Sequence, residues 1–269
     1  RRPLSAFGKA GNQVMLIKKF GGATTLASIT LLIAFIAAWE WLPGAFGVPE
    51  FVLPRFSRVM TEAGAMWREG GLIKHTLATL VAVLVGFALG SLLGIAVGVG
   101  LGLSPAAEKI MSPYILALQI APKVAFAPLF VMWLGYTIYP KILVAILIVF
   151  FPIMINVLSA IRTVDPDMIN LVRTLNARRV QVFRLVEFPS AMPALFSGLR
   201  IGVTVGELVG GNLGLGFLLT AGEGQGNTAA VFVSIGLLTL IGIVAYALVV
   251  WAEGRVLHYL PRADYTTAN

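Results

Sequence analysis

Residues 161–202 read IRTVDPDMINLVRTLNARRVQVFRLVEFPSAMPALFSGLRIG, a polar and basic stretch between two strongly apolar runs. Asp165 and Pro166 predict the start of a helix, because aspartate caps free N–H groups and proline fits the first helical position. Apolar residues then recur at i, i+3, i+4 and i+7, namely Met168, Leu171, Val172 and Leu175. The pattern predicts a short helix with one apolar face.

Asn176 interrupts this pattern, and asparagine tolerates a left-handed backbone better than most residues, so the sequence predicts a sharp corner there. A second short helix is expected after the corner, with Val182 on its apolar side and Arg184 on its polar side. Pro189 is expected to end that helix and Pro193 to open the next apolar run.

The composition of the whole chain indicates a polytopic membrane protein. Hydrophobic residues make up 58% and charged residues only 12%, with a mean hydropathy of +0.90, whereas soluble domains have roughly 25% charged residues. The chain contains no cysteine, which excludes disulfides and thiolate metal sites. The net charge of +8 could suggest nucleic acid, but basic cytoplasmic loops account for it better, and no nucleic-acid partner is expected.

Six apolar runs are each near or above the roughly 20 residues that a helix needs to cross a bilayer. The predicted spans are 24–42, 76–103, 113–135, 142–161, 193–210 and 228–252. They form one transmembrane domain, 24–252, between a basic segment, 1–23, and a polar tail, 253–269, with the polar loop 162–192 inside it.

The distribution of basic residues predicts the orientation. With the N-terminus inside, the cytoplasmic segments hold 13 Lys and Arg and the external segments 5. This bias predicts that both termini and the loop 162–192 are cytoplasmic.

The second predicted span carries a glycine at every fourth position, Gly86, Gly90, Gly94 and Gly98. Small residues on one face let another helix approach closely. The same region matches neither the dinucleotide nor the P-loop pattern of glycines, so packing is the expected role rather than phosphate binding.

Ionisable residues inside predicted spans are costly and usually functional or paired. Lys123 lies about 15 Å into the third span, near the midplane, between Pro122 and Pro128, which predict a distorted helix. Two alternatives remain open for it, attraction of an anion in a passage and an ion pair with Glu207. For Arg200 the expectation is snorkelling to the cytoplasmic edge.

Residues 161–202, the polar stretch described first, also resemble a known family. Asn170-Leu171-Val172, Asn176 and Val186-Glu187-Phe188-Pro189 follow the spacing of the cytoplasmic signature of binding-protein-dependent ABC importer permeases, although its E-A-A triplet is absent and its glycine is Asn176. The longer string TLNARRVQVFRLVEFPSAMPALFSGLRIG resembles the sulfonate, taurine and nitrate-type permeases. Further stretches, FVLPRFSRVM, APKVAFAPLFVMWLGY and FFPIMINVLSAIRTVDP among them, extend the resemblance over roughly residues 50–260.

The resemblance implies an all-α fold, that of a type I ABC importer permease with six transmembrane helices and cytoplasmic coupling helices. It implies a multi-pass protein of the bacterial plasma (inner) membrane. The partners it implies are two ATPase subunits, a second copy of the chain, a periplasmic or extracellular substrate-binding protein and membrane lipid. ATP and Mg would bind to the ATPase, with no cofactor, metal or catalytic residue in this chain.

The resemblance further implies a small, anionic solute, such as nitrate, a sulfonate or taurine, while relatives for vitamin precursors and aromatic acids leave an alternative open. The residues expected to couple to the ATPase are Asp165, Met168, Leu171, Val172, Thr174, Leu175, Asn176, Ala177, Val182, Arg184 and Pro189. The residues expected to line the translocation pathway are Gln119, Lys123, Met132, Asn156 and Glu207.

Other functional classes fit the sequence less well. A secondary transporter or a channel is the main alternative, but no clear repeat and few midplane charges are present. An enzyme is disfavoured because the chain has no Walker A and no H-E-x-x-H sequence, and His75 and His258 lie in opposite halves. The loop could also be a basic amphipathic segment on the membrane surface.

Overall fold

The computed structural model describes the backbone of residues 7–205 and 213–257, and the side chains of residues 25–201 and 213–257. Every regular element in these ranges is helical, which confirms the all-α prediction. The elements are α1 Phe7–Ala45, α2 Phe56–Arg68, α3 Gly71–Leu103, α4 Pro105–Ile120, a 3₁₀ turn Lys123–Phe126, α5 Ala127–Leu134, α6 Tyr139–Arg162, α7 Pro166–Thr174, α8 Arg179–Val182, a π turn Phe183–Glu187, α9 Phe188–Val205, α10 Leu215–Gly224 and α11 Thr228–Val256.

Four of the described helices are long and apolar enough to cross a membrane, namely Thr25–Ala45 within α1, α3, α6 and α11. A fifth span is possible if α4 and the segment Lys123–Leu134, which meet at an angle of 82°, count as one. The predicted span 193–210 corresponds in part to α9, and its last residues lie outside the described ranges. The count of six spans therefore stays a prediction.

The glycine face of α3 packs directly on α6. A methyl group added at Gly98 would lie 2.7 Å from the carbonyl oxygen of Met154, and one at Gly102 would lie 3.0 Å from the Cβ of Ile161. The other contacts follow the same register along both helices, with Gly86 opposite Ala145, Gly90 opposite Val149 and Gly94 opposite Ile153. The two helices are therefore parallel and in backbone contact, and the predicted packing role is confirmed.

The principal core lies where α6, α9 and α11 meet. It contains the buried residues Val149, Ile153, Val157, Ile161, Ala191, Leu195, Phe196 and Val249. By contrast, large apolar side chains on α1 and on the outward face of α3 are exposed, for example Leu31 and Leu92. In a membrane protein, lipid covers the exposed leucines of long apolar helices. The buried faces listed above are therefore the faces that pack on protein, and the exposed apolar faces are the ones that lipid covers.

The third predicted span, 113–135, needs correction. The helix there starts earlier, at Pro105, because Pro105 occupies the first helical position and the Ser104 hydroxyl caps it, accepting from the Ala107 N–H at 3.4 Å. The helix then ends at Ile120, because Ala121, which precedes Pro122, has the extended ψ of 134° that proline favours in its neighbour. The distortion predicted at Pro122 is present as a break.

The expected helix end at Pro189 is wrong. Helix α8, the π turn and α9 follow one another without a gap from Arg179 to Val205. Within the turn, the Phe188 N–H donates to the carbonyl of Phe183, five residues back. The wider turn lies directly before Pro189 and makes room for a ring that would clash with the carbonyl of a regular helix.

Helix α10 is held at its N-terminus by side chains from α3 and α6. The Gly214 N–H donates to Nδ1 of His75 at 2.9 Å, and the Leu215 N–H donates to the Thr79 hydroxyl at 2.8 Å. The Lys141 ammonium donates to the carbonyl of Leu213. The bonds from Gly214 and Leu215 satisfy N–H groups that the start of a helix leaves free.

Candidate coupling surface and translocation site

Helix α7 starts as the sequence predicts. The Asp165 carboxylate accepts from the Asp167 N–H at 2.9 Å, and Pro166 is the first helical residue. No residue of α7 is buried within the part of the chain that the structure describes. Its apolar residues Met168, Leu171 and, just beyond its end, Leu175 are 52%, 61% and 77% exposed. An exposed apolar face on a polar loop is typical of a surface that contacts a protein partner or a membrane.

The corner after α7 is formed by Asn176, which has φ 55° and is the single non-glycine residue with positive φ in residues 7–205 and 213–257. Its N–H donates to the carbonyl of Arg173 at 2.9 Å, and the Ala177 N–H donates to the carbonyl of Val172 at 3.4 Å. This pair of bonds is a Schellman motif, which satisfies the last carbonyls of α7. The predicted left-handed corner is confirmed.

The remaining predicted coupling residues differ in burial, and Val172 on α7 is half-buried. Val182 is 1% exposed and packs inside the chain, while Ala177 and Pro189 are half-buried. Arg184 and Thr174 are exposed, and the Thr174 hydroxyl donates to the carbonyl of Leu171 at 2.6 Å. Val182 therefore fixes α8 on the protein rather than facing outward.

Two arginines that the sequence reasoning did not single out flank α7. Arg162, the last residue of α6, donates to the carbonyl of Leu101 at 3.4 Å, and Arg179, the first residue of α8, donates to the carbonyl of Leu103 at 3.4 Å. Basic side chains commonly satisfy the last carbonyls of a helix. Both arginines thus reach residues 101–108, the α3–α4 corner. An arginine four residues before Pro166 and another three residues after Asn176 was the available signal.

The second candidate site is the break between α4 and α5. Lys123 follows Pro122, and its ammonium donates to the carbonyl of Gln119 in the last turn of α4. The same nitrogen lies 5.2 Å from the centroid of the Phe151 ring on α6, a cation–π contact. Lys123 is half-buried and Gln119 is exposed. The charge thus sits at the break rather than inside a regular helix.

Aromatic side chains continue from this break along α5. The rings of Phe126 and Phe130 are stacked with centroids 6.3 Å apart, and the Trp133 ring lies 6.0 Å from that of Phe130. Met132 is 76% exposed. A single cation beside a row of flat apolar rings can contact a solute that combines a negative group with an apolar body.

Asn156 lies at a different place. Its Nδ2 donates to the carbonyl of Pro152 at 2.8 Å, and it lines a cleft of about 260 Å³ between α6 and α9. The cleft has a polar side formed by Asn156, Ser159, Thr163 and Ser190. Phe151 and Asn156 are separated by roughly 140° around α6. The structure therefore does not bring Lys123 and Asn156 into one site within the chain.

The remaining ionisable candidates are Arg200 and Glu207. Nη1 of Arg200 lies 3.1 Å from Oε2 of Glu253, so an ion pair joins α9 to α11. Glu207 lies outside the described residues, and its predicted pairing with Lys123 stays a prediction.

The chain is similar to known proteins in both sequence and fold. A family model described as the binding-protein-dependent transport system inner membrane component matches residues 90–258, more than half of the chain. The riboflavin transport system permease protein RibX of Chloroflexus aurantiacus is 39% identical over 246 residues, which cover 88% of this chain and 90% of that protein.

Two further relatives are named for different solutes. The formylaminopyrimidine transport permease protein ThiX of Halalkalibacterium halodurans is 31% identical over 81% of this chain and 90% of its own length. The taurine transport system permease protein TauC of Escherichia coli is 31% identical over 83% of this chain and 84% of its own length.

The fold itself also matches a solved structure. That of an amino acid ABC transporter with histidines is similar with a TM-score of 0.51 and 17% identity, over 73% of this chain and 97% of that one, which supports the fold alone. The family match and the relatives that cover most of both chains lead to one conclusion. The chain belongs to the binding-protein-dependent transport system inner membrane components, the permease subunits of ABC importers.

Proposed function

We propose that this permease subunit forms the passage for a small solute with a negatively charged group, and that α7 is the surface on which a separate ATPase subunit docks. The observation that carries the docking proposal is the exposed apolar face of Met168, Leu171 and Leu175 beside the Schellman corner at Asn176. A short helix with a fixed start and a fixed end can transmit the movement of a partner, because it moves as one unit.

The orientation that docking needs agrees with the charge distribution. The loop around α7 is rich in arginine, including Arg173, Arg178, Arg179 and Arg184. Basic loops stay in the cytoplasm, where ATP is available, so both termini are proposed to be cytoplasmic as well.

The negative group of the solute is proposed to pass Lys123. Its ammonium is half-buried at the break between α4 and α5, and a cation in a region of low dielectric attracts anions strongly. Gln119 and Met132, both exposed near the break, would line the same passage. Asn156 and its cleft would form a separate, polar part of the route.

A flat heteroaromatic solute is the second candidate. It is favoured by the aromatic rings of Phe126, Phe130 and Trp133, which offer stacking surfaces, and by the names of the RibX and ThiX relatives. Taurine has no ring and would not use these surfaces. The two candidates therefore differ in the part of the break that contacts the solute.

Two copies of the chain are proposed to surround the passage. No residue of α4 or α5 is buried among the residues that the structure describes, and their exposed side chains include Tyr114, Leu118, Met132 and Trp133. The glycine face of α3 is already covered by α6, so the second copy would use α4 and α5 instead.

The test is reconstitution of the permease with its ATPase and binding protein in vesicles. Uptake of taurine and of riboflavin is measured with the same preparation, with and without ATP. ATP-dependent uptake of taurine supports the anion, and uptake of riboflavin alone supports the heteroaromatic solute. Leu171→Asp should prevent association of the ATPase, whereas Thr137→Asp, an exposed residue before α6, should not. Equal association of both variants would contradict docking on α7.

A further inference from the structure

Helix α4 packs lightly, through the half-buried Ala107 and Ile115, and an ion pair holds it near its start. None of its residues is buried within the described ranges, and it runs from Pro105 to the break that carries Lys123. Near its first turn, Oε2 of Glu108 lies 2.5 Å from Nη2 of Arg162 at the end of α6. A helix with little packing follows its directional contacts, so this pair has a large influence on where α4 lies.

The same arginine belongs to the attachment of the coupling segment. Arg162 lies four residues before Pro166, and Arg179 lies just after the Asn176 corner. Both donate to the carbonyls that end α3, so α7 is bracketed by two contacts with the α3–α4 corner. Arg162 also forms the ion pair with Glu108, and this contact involves a side chain of α4.

We propose that Glu108 and Arg162 are positioning residues that transmit the movement of α7 to α4, and through α4 to Lys123 at the break. The proposal rests on the docking of the ATPase at α7 proposed above. Displacement of α7 moves the end of α6 at Arg162, and the ion pair carries α4 with it. The broken span then changes its angle at Pro122, where no regular helical hydrogen bonds resist bending.

The exposure of the pair fits a positioning role better than a role in folding. The two side chains are 30% and 31% exposed, and ion pairs with this access to water contribute little net stability. Their attraction is still directional at 2.5 Å, and Glu108 also lies favourably in the first turn of α4, at the positive end of its dipole. Loss of the pair should therefore alter the position of α4 more than the melting temperature.

The experiment measures that position directly. Because the chain contains no cysteine, Leu116→Cys on α4 and Leu248→Cys on α11 can carry spin labels without background, and both positions are exposed. The labelled chain is diluted with unlabelled chain and reconstituted with the ATPase subunits. The distance between the labels is measured without nucleotide and with a non-hydrolysable ATP analogue.

In the parent complex the analogue should shift the distance by about 2 Å or more, the size of typical helix shifts. Glu108→Gln and Arg162→Gln should each abolish the shift while the ATPase stays bound and the melting temperature is unchanged. Exchange of the charges, Glu108→Arg with Arg162→Glu, should restore most of it. Lys109→Gln, at the neighbouring exposed lysine, is the matched control and should behave as the parent.

The outcomes distinguish two proposals, the link from α7 to α4 through Glu108 and Arg162, and the docking of the ATPase on α7. If the ATPase does not associate with the parent permease, docking on α7 and the link both fail. If it associates and the single variants shift as the parent does, the link alone is overturned. A loss of the shift that comes with a lower melting temperature and is not restored by charge exchange shows a structural role and also overturns it.

Discussion

The ammonium of Lys123 lies 5.2 Å from the centroid of the Phe151 ring and donates to the carbonyl of Gln119. The lysine thus closes the end of α4 and faces α6 at the same time. Both the carbonyl and the face of the ring offer negative potential to the ammonium. The same ammonium is the group proposed above to attract the anionic part of the solute.

Lys123→Met is expected to lower solute uptake at least several-fold, because it removes the charge while keeping an apolar stem beside Phe151. Assembly and ATP hydrolysis should be retained. Uptake into reconstituted vesicles is the measurement, with Lys109→Met on α4 as the control. Full uptake by Lys123→Met would rule out attraction of an anion.

The alternative pairing of Lys123 with Glu207 makes a different prediction. If the pair is structural, Lys123→Met should impair assembly itself, and adding Glu207→Gln should restore it, because an unpaired charge within the membrane is costly. Size-exclusion chromatography of the complex measures this. Unchanged assembly of the single variant would exclude the pairing.

Asn176→Val is expected to damage coupling, because a β-branched residue resists the observed φ of 55° at a cost of roughly 1–2 kcal/mol. Asn176→Gly should be tolerated, since glycine is the preferred residue at this position of a Schellman motif. Association of the ATPase and uptake are measured for both. If the valine variant matches the parent in both assays, the left-handed corner has no role in coupling.

Gly98→Leu should destabilise the protein, because its Cβ would lie 2.7 Å from the carbonyl oxygen of Met154 and force α3 away from α6. Overpacking of this kind costs about 1–3 kcal/mol or more. The melting temperature in detergent is the measurement. Gly100→Leu is the matched control, because nothing lies within 4 Å of a Cβ built there. Equal melting temperatures of the two variants would show that the close contact is not needed.

Gly214→Ala should loosen the start of α10. The residue has φ 103°, and an added Cβ would lie 2.8 Å from Nζ of Lys141 and 2.9 Å from the Thr79 hydroxyl. Faster hydrogen exchange of the α10 amides is expected. Gly224→Ala at the end of the same helix is the control, because nothing lies within 4 Å of a Cβ built there. Its α10 amides should exchange at the rate of the parent. Slow exchange in both variants would contradict the prediction.

The sequence alone predicted the features that depend on neighbouring residues. The cap at Asp165, the corner at Asn176, the break at Pro122 and the packing face that includes Gly98 are all present in the structure. Each follows from backbone chemistry or helical periodicity over a few residues, which a single chain displays directly. The membrane class followed from composition, and the helical spans followed from apolar runs of about 20 residues.

The tertiary structure decided which elements meet. It placed α6 against the glycines of α3, carried a helix past Pro189 through a π turn, buried Val182 and joined Arg162 to Glu108. These outcomes depend on contacts between residues that are distant in sequence, and periodicity identifies a face without naming its partner. A proline stops a helix by local rules, whereas packing can stabilise the wider turn that lets the helix continue.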